Sequence, residues 1–334
     1  MKRIAINGLG RIGRLVLRHY MNESPEAVEI VAANDLVPTE DLAYLIRYDS
    51  AHGRAPFPVE ATPDTLKLGG REIKVTANTD PASLPWKDLG VDVVLECTGR
   101  FTARDAAAAH LKAGARRVII SAPSKDADLT VIVGVNEEAF DPERHQVISN
   151  ASCTTNSLVP PMKVLLDRFG VESALVTTVH AYTATQSTVD RPSKKKIRGR
   201  AAAVNLIPTS TGSDIATTQV LTELEGRLRA LAIRAPVIDG AITDVSAVLK
   251  TPVTVEAVNA AFKEAAASGP LAGILGYSED DLVSSDIISD TRSSIVHAQS
   301  TRVVADRMVK VQCWYDNEFG YSRRLLDAAL RLPV

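Results

Sequence analysis

The chain has 334 residues, 45% of them apolar, with 38 basic and 40 acidic side chains and a formal net charge of −2. This length and composition predict a globular protein with a full core and two domains. Charge this close to balance excludes a general attraction to nucleic acid or to an anionic membrane, and no apolar run approaches the length of a membrane span.

Lys2–Asn7 reads as a short buried strand, through Ile4, Ala5 and Ile6. The chain enters this strand at once, so no signal peptide is expected. Gly8-Leu9-Gly10-Arg11-Ile12-Gly13 follows, and then a helical pattern through Leu15, Val16 and His19. This is G-x-G-x-x-G in a strand–turn–helix setting. Gly8 permits the tight turn, Gly10 lets the backbone approach a pyrophosphate, and Gly13 lets the helix pack on the strand, with the helix N-terminus toward the phosphates. A second strand, 29–33, ends at Asn34-Asp35. Asp35 lies 22 residues after Gly13, where an acid accepts hydrogen bonds from a ribose 2′-hydroxyl and repels a 2′-phosphate. That favours NAD over NADP; a turn or cap aspartate is the alternative.

Further apolar strands near 91–97, 116–120 and 129–133, with helices near 39–47 and 102–112, predict a mostly parallel buried sheet. Residues 57–76 depart from this pattern, with 66–75 reading as a hairpin turning at Gly69-Gly70, inserted in the nucleotide domain. Cys97 and Cys313 sit in strand-like runs as small buried residues. Three scattered cysteines fit a reducing, cytoplasmic compartment, and no CxxC, HExxH or clustered His/Asp set suggests a metal.

The strand at 146–149 leads into Asn150-Ala151-Ser152-Cys153-Thr154-Thr155-Asn156 and an apolar helical pattern over 158–169. Cys153 therefore stands where a helix begins, a position whose free N–H groups and dipole favour a thiolate. The helix rises about 23 Å. After a turn at Gly170 the strand 172–180 returns about 26 Å. His180 thus comes back near Cys153, as a nucleophile and its base require; a buried cysteine and an unrelated histidine are the alternative. Pro160-Pro161 inside this helix predicts a kink. Longer strands at 172–181, 228–234, 242–250 and 303–315, with helices near 212–224 and 254–267, predict a largely antiparallel sheet with helices on one face. Residues 320–332 form an amphipathic final helix.

The segments INGLGRIGR, NASCTTN, HAYTATQ, IPTSTG and WYDNEFGY, in this order from Lys2 to the final helix, resemble the phosphorylating glyceraldehyde-3-phosphate dehydrogenases. The resemblance implies an α/β Rossmann nucleotide-binding domain over residues 1–151, an α+β catalytic domain with a mainly antiparallel sheet over 152–317, and a C-terminal helix, 318–334, packing back on the first. It implies a cytoplasmic homotetramer that uses NAD, glyceraldehyde 3-phosphate and inorganic phosphate. By motif match Cys153 is the nucleophile and His180 the base. Arg11 and Ile12 would contact the pyrophosphate, Asp35 the adenosine ribose, Ser121 the nicotinamide ribose and Asn317 the nicotinamide carboxamide. Ser152 and Thr154 flank the thiol, Thr183 and Arg234 match the substrate-phosphate site, and Thr211 and Gly212 match the site of the attacking phosphate.

Three positions depart from the family pattern. Ser157 replaces a frequent second cysteine, Asp214 stands in a run that commonly carries lysine, and the segment after Arg234 puts the local loop shape in question. The basic run at 194–200 is read as a solvated face from which Arg198 could assist phosphate binding. An erythrose-4-phosphate dehydrogenase is the competing enzyme, disfavoured by HAYTATQ and PTSTG, while Asp35 and Pro192 argue against an NADP enzyme. An RNA-binding role through the basic run lacks a recognition motif and leaves Cys153 and His180 without a purpose; no nucleic-acid partner is expected.

Overall fold

In the computed structural model, which describes Met1–Val334, the first alternation of strands and helices becomes a nine-stranded sheet. Its order is Leu129–Thr130, Val147–Ser149, Arg117–Ile120, Val93–Glu96, Lys2–Asn7, Val28–Asn34, Arg71–Thr76, Thr65–Leu68 and Val59–Thr62. The first six pairings along this order are parallel and the last two antiparallel. The Gly69-Gly70 hairpin thus extends the parallel sheet at one edge, both glycines having positive φ. Lys2–Asn7 lies between Val28–Asn34 and Val93–Glu96. The strand order reverses there, and open α/β sheets bind ligands at the carboxyl ends of strands at such a point.

The second sheet has eight strands. Its path runs Ile207–Ser210, Leu228–Ala235, Val171–Ala181, Ala241–Leu249, Met308–Tyr315, Ser294–His297 and Leu275–Ser278, with Arg302–Val304 paired to Met308–Tyr315. Two pairings are parallel and the rest antiparallel. Val245, Ala247 and Leu249 face inward at period two, as do Val309, Val311 and Cys313. Compactness divides the chain into one unit of Met1–Ser152 with Ser322–Val334 and another of Cys153–Tyr321.

Several elements differ from expectation for local reasons. The strand at 129–133 stops at Thr130, because the Asn136 side chain accepts from the Ile132 N–H and donates to the Thr130 carbonyl, folding 131–136 into a turn. Residues 303–315 are a hairpin, since Ala305 and Asp306 both adopt positive φ. Helix Cys153–Phe169 runs unbroken through Pro160 and Pro161. The two missing donors are adjacent, so the loss falls on one turn, and burial of Leu158, Val159, both prolines and Met162 holds the helix where its own bonds do not. The strands Ile207–Ser210, Leu275–Ser278 and Ser294–His297 escape the sequence pattern because each has four residues, too few to establish an alternation.

Within the first unit, Lys2 Nζ donates to the carbonyls of Ala329, Leu330 and Leu332 at 2.8, 2.8 and 2.6 Å. A cation on the open carbonyls of a helix C-terminus satisfies them and opposes the dipole. Arg11, at the start of helix Arg11–Glu23, pairs with the buried Asp49 at 2.6 Å. Burial alone would raise the Asp49 carboxyl. The Arg11 guanidinium and the N–H groups of His52 and Ala51 outweigh it and hold the group at about 2. A depressed carboxyl stabilises the fold above its unfolded pKa, near 4, and the contribution is lost as pH falls toward 2. Asp49→Asn is therefore expected to lower stability by about 2 kcal/mol at pH 7. Denaturant titrations at stepwise lower pH should show that difference closing below about pH 4.

Candidate active site

In the first unit, Gly8 makes the turn after strand Lys2–Asn7 with φ +94°, and a Cβ there would stand 2.8 Å from the Thr98 nitrogen. A Cβ on Gly13 would collide with the Gly8 carbonyl, whereas one on Gly10 would meet nothing within 4 Å. The motif therefore combines a tight turn and a close helix contact with open space at Gly10. That space belongs to a pocket of about 330 Å³ lined by Gly8, Gly10, Asn34, Asp35 and Thr98 among others. Helix Arg11–Glu23 has no side-chain cap and no acid in its first turn, so its positive end faces no carboxylate of its own. Asp35 accepts from the Leu9 N–H at 2.7 Å and the Val37 N–H at 3.0 Å, which fixes its carboxylate at the pocket wall. The Arg11 side chain turns to Asp49, and Ile12, the next residue, is half-buried. Ser121 lies outside the pocket lining and bonds the thiol of Cys97, which is part of it. The room beside Gly10 and the placement of Asp35 fit a dinucleotide.

In the second unit, Cys153 opens its helix and its Sγ lies 3.4 Å from His180 Nε2. His180 comes from strand Val171–Ala181 and Arg234 from its parallel neighbour, with the two residues in direct register. His180 Nδ1 is 2.7 Å from the Ala181 carbonyl, an acceptor only. Nε2 is the ring nitrogen that faces the thiol. Arg234 Nη1 donates to the same carbonyl at 3.0 Å and stands 2.8 Å from Nδ1. Burial, reinforced by the Arg234 charge, pushes His180 down to about 3. Burial also pushes the Cys153 thiol up, against the Arg234 charge, the Thr154 hydroxyl and the N–H groups of Thr154 and Cys153. This corrects the expectation that the helix start leaves Cys153 with a low pKa. The N–H groups act in the expected direction, but desolvation exceeds them. The resting pair is a thiol and a neutral imidazole, and ionising the sulfur means moving its proton to Nε2.

Around the pair, Thr154 Oγ1 and Tyr315 Oη lie 3.0 Å apart, and the Tyr315 ring meets His180 edge-on at 5.9 Å. Tyr315 was legible only as part of WYDNEFGY, with no chemical pattern of its own. Ser152, half-buried, is the last residue of the first unit. Arg198 Nε donates to Thr209 Oγ1 at 3.1 Å, which ties the basic run to strand Ile207–Ser210. Its charge reaches both His180 and Arg234. Thr211 accepts from the Ser213 N–H at 3.2 Å, and exposed Gly212 caps helix Ser213–Val220. Thr183 lines a pocket of about 250 Å³ with Tyr182, Gln186 and Ala202. Asn317 is buried with its Oδ1 unpartnered, and Arg234 Nε is likewise buried and unpartnered. An amide oxygen and a guanidinium nitrogen left in this way suit a carboxamide and an anion respectively.

Residues 2–104 match the family model described as glyceraldehyde 3-phosphate dehydrogenase, NAD binding domain, and residues 152–317 match that of the C-terminal domain. The chain belongs to the glyceraldehyde-3-phosphate dehydrogenase family. It is 52% identical over 329 residues to glyceraldehyde-3-phosphate dehydrogenase 1 of Bacillus cereus, covering 98% of each chain. It is 51% identical over 327 residues to the Geobacillus stearothermophilus enzyme, covering 98% of this chain and 97% of that one. Against the Thermotoga maritima enzyme the identity is 52% over 327 residues and 98% of each chain. Membership of this family makes the chain an NAD-dependent oxidoreductase with a Rossmann domain.

Arg234 lowers the Cys153 thiol and opposes protonation of His180. Arg234→Leu should therefore shift the pH midpoint of Cys153 alkylation upward, and His180→Asn should slow alkylation at pH 7 by removing the acceptor. Iodoacetamide kinetics across pH read both, and an unmoved midpoint in Arg234→Leu would refute the electrostatic role.

Proposed function

We propose that this chain oxidises D-glyceraldehyde 3-phosphate to 1,3-bisphosphoglycerate with NAD and inorganic phosphate, a glycolytic and gluconeogenic reaction, through a thioester on Cys153. The observation that carries this reading is the 3.4 Å contact of Cys153 Sγ with His180 Nε2, at the start of the helix that Cys153 opens. In this reading residues 1–151 form the NAD-binding domain and 152–317 the catalytic domain, with the terminal helix 318–334 belonging to the first.

Sγ attacks the aldehyde carbon as its proton passes to Nε2, and the C–S bond forms. The Cys153 N–H and the protonated imidazole stabilise the oxyanion, which takes up the proton to give a hemithioacetal. NAD, when bound, supplies the hydride acceptor. Gly8, Gly10, Arg11, Ile12, Gly13 and Asp35 hold its adenosine and pyrophosphate, and Ser121 and Asn317 its nicotinamide half. His180 Nε2 takes the hydroxyl proton as the carbon is oxidised, which leaves the thioester. A phosphate oxygen then attacks the thioester carbon, the C–S bond breaks, and the thiolate recovers its proton from His180. Thr183 and Arg234 orient the substrate phosphate. Thr211, Gly212 and Arg198 receive the attacking phosphate, while Ser152 and Thr154 frame the reacting carbon. Arg234 also keeps the imidazole neutral between turnovers, so that it begins each cycle as a base.

The test is the absorbance of NADH formed from glyceraldehyde 3-phosphate, with and without phosphate. Turnover should require phosphate and NAD, vanish in Cys153→Ala, and fall by roughly 10²- to 10⁴-fold in His180→Asn. Turnover without phosphate would overturn the acyl-phosphate step.

The chain acts as a homotetramer in the cytoplasm. No helix is long and apolar enough to cross a membrane. On the sheet of the second unit, Leu175 is 69% and Leu231 51% exposed, on strands paired so that they are diagonal neighbours on one face. Such apolar clusters suit a self-complementary interface. Leu231→Asp is expected to shift the sedimenting species from tetramer to smaller forms; an unchanged tetramer would exclude this face as an interface.

A further inference from the structure

A buried polar chain in the first unit takes no part in the steps above. Trp86 Nε1 donates to His110 Nδ1 at 2.9 Å. An indole is a donor only, so Nδ1 is the bare nitrogen and the ring proton sits on Nε2. Nε2 lies 3.1 Å from Glu96 Oε2 and donates to it, and Asn7 Nδ2 donates to the same oxygen. The other oxygen, Oε1, accepts the Thr98 N–H at 2.8 Å and the Thr98 hydroxyl. Asn7 Oδ1 in turn accepts from Asn34 Nδ2 at 2.8 Å, and Asn34 Oδ1 accepts the Thr76 hydroxyl and the Asn78 N–H, each at 2.9 Å. From both ends the donors run toward Glu96, and one carboxylate receives four of them.

Asn34, Asn7 and Glu96 stand in register at the carboxyl ends of three adjacent parallel strands. Asn7, Asn34, Asn78 and Thr98 also line the Gly8–Asp35 pocket, whereas Trp86 and His110 are 0% exposed and do not reach it. An apolar core would be as stable with less at stake, because a buried network returns little net energy and is costly if one member is missing. What it supplies is orientation: each amide can point only one way.

We propose that the chain Trp86–His110–Glu96–Asn7–Asn34 is a positioning device for the adenosine half of NAD, with His110 as the residue that sets its direction. This rests on the assignment of the pocket to NAD. His110 acts through Glu96, which fixes the Thr98 segment on one side of the pocket and, through Asn7, the Asn34 and Asn78 amides on the other.

The experiment measures NAD affinity by calorimetry, with apo-protein melting and steady-state kinetics, on the full-length protein. His110→Leu should weaken NAD binding by about tenfold, the order of one buried hydrogen-bond defect. Its kcat at saturating NAD and its KM for the aldehyde should stay at the parent values. His110→Gln offers an acceptor toward Trp86 and a donor toward Glu96, and should restore most of the affinity. Trp86→Phe removes only the indole donor and should weaken binding in the same direction, so it decides the matter if His110→Leu does not fold. Parent-like affinity in folded His110→Leu or Trp86→Phe, or a loss that His110→Gln fails to restore, would overturn the proposal. Absence of NAD binding by the parent protein would instead overturn the pocket assignment on which it stands.

Discussion

The in-register pairing of His180 with Arg234 across two parallel strands is the constraint on which the site depends. It brings a guanidinium to 2.8 Å from the imidazole nitrogen that faces away from Cys153. Two cationic groups cannot coexist at that distance in a buried site without large cost. Since arginine does not give up its proton, the imidazole must. Helix Cys153–Phe169 then needs only to return the thiol to Nε2, which it does by packing Leu158, Val159 and Met162 in the core of the same unit. One register thus fixes a base and the cation beside it.

Burial acts on both reacting groups in a concerted way. It raises the thiol and lowers the imidazole, so both are neutral at rest. The charge-separated pair becomes favourable only when an electrophile takes up the sulfur's charge. A partly desolvated thiol of this kind is held neutral until a substrate that the site orients takes up its charge. The helix dipole and the Thr154 contacts lower the barrier without leaving a standing thiolate.

Much of this was legible in the sequence, because the decisive signals are local. G-x-G-x-x-G names its own turn, and φ +94° at Gly8 with the collision at Gly13 gives the reasons for two of its glycines. The helix from Cys153 and the strand back to His180 nearly cancel in length, and side chains 27 positions apart meet at 3.4 Å. What was not legible depends on neighbours distant in sequence. The sign of the Cys153 shift comes from desolvation by the whole fold, which no spacing reports. The hairpin at Ala305-Asp306 hides because neither residue is the glycine or asparagine that usually marks a positive φ. The unbroken helix through Pro160-Pro161 shows tertiary burial overriding a strong local rule. Trp86, His110 and Glu96 are ordinary residues of a core pattern until their donors and acceptors are counted.

The composition of the first unit has a consequence for how the chain is made. Its central strand, Lys2–Asn7, is synthesised well ahead of the carbonyls that Lys2 holds, which belong to Ala329, Leu330 and Leu332, 327 to 330 residues further on. Arg323 and Glu23 form a 2.7 Å ion pair across the same gap in time. The second unit is in effect inserted between two pieces of the first. On a ribosome adding roughly 5–20 residues per second, the nucleotide unit waits tens of seconds with its last helix missing, while the catalytic unit has its whole sequence first. A nascent chain that stalls before Ala329 leaves Lys2 without these carbonyls, so the helix that closes the nucleotide unit arrives only after the catalytic unit has been made.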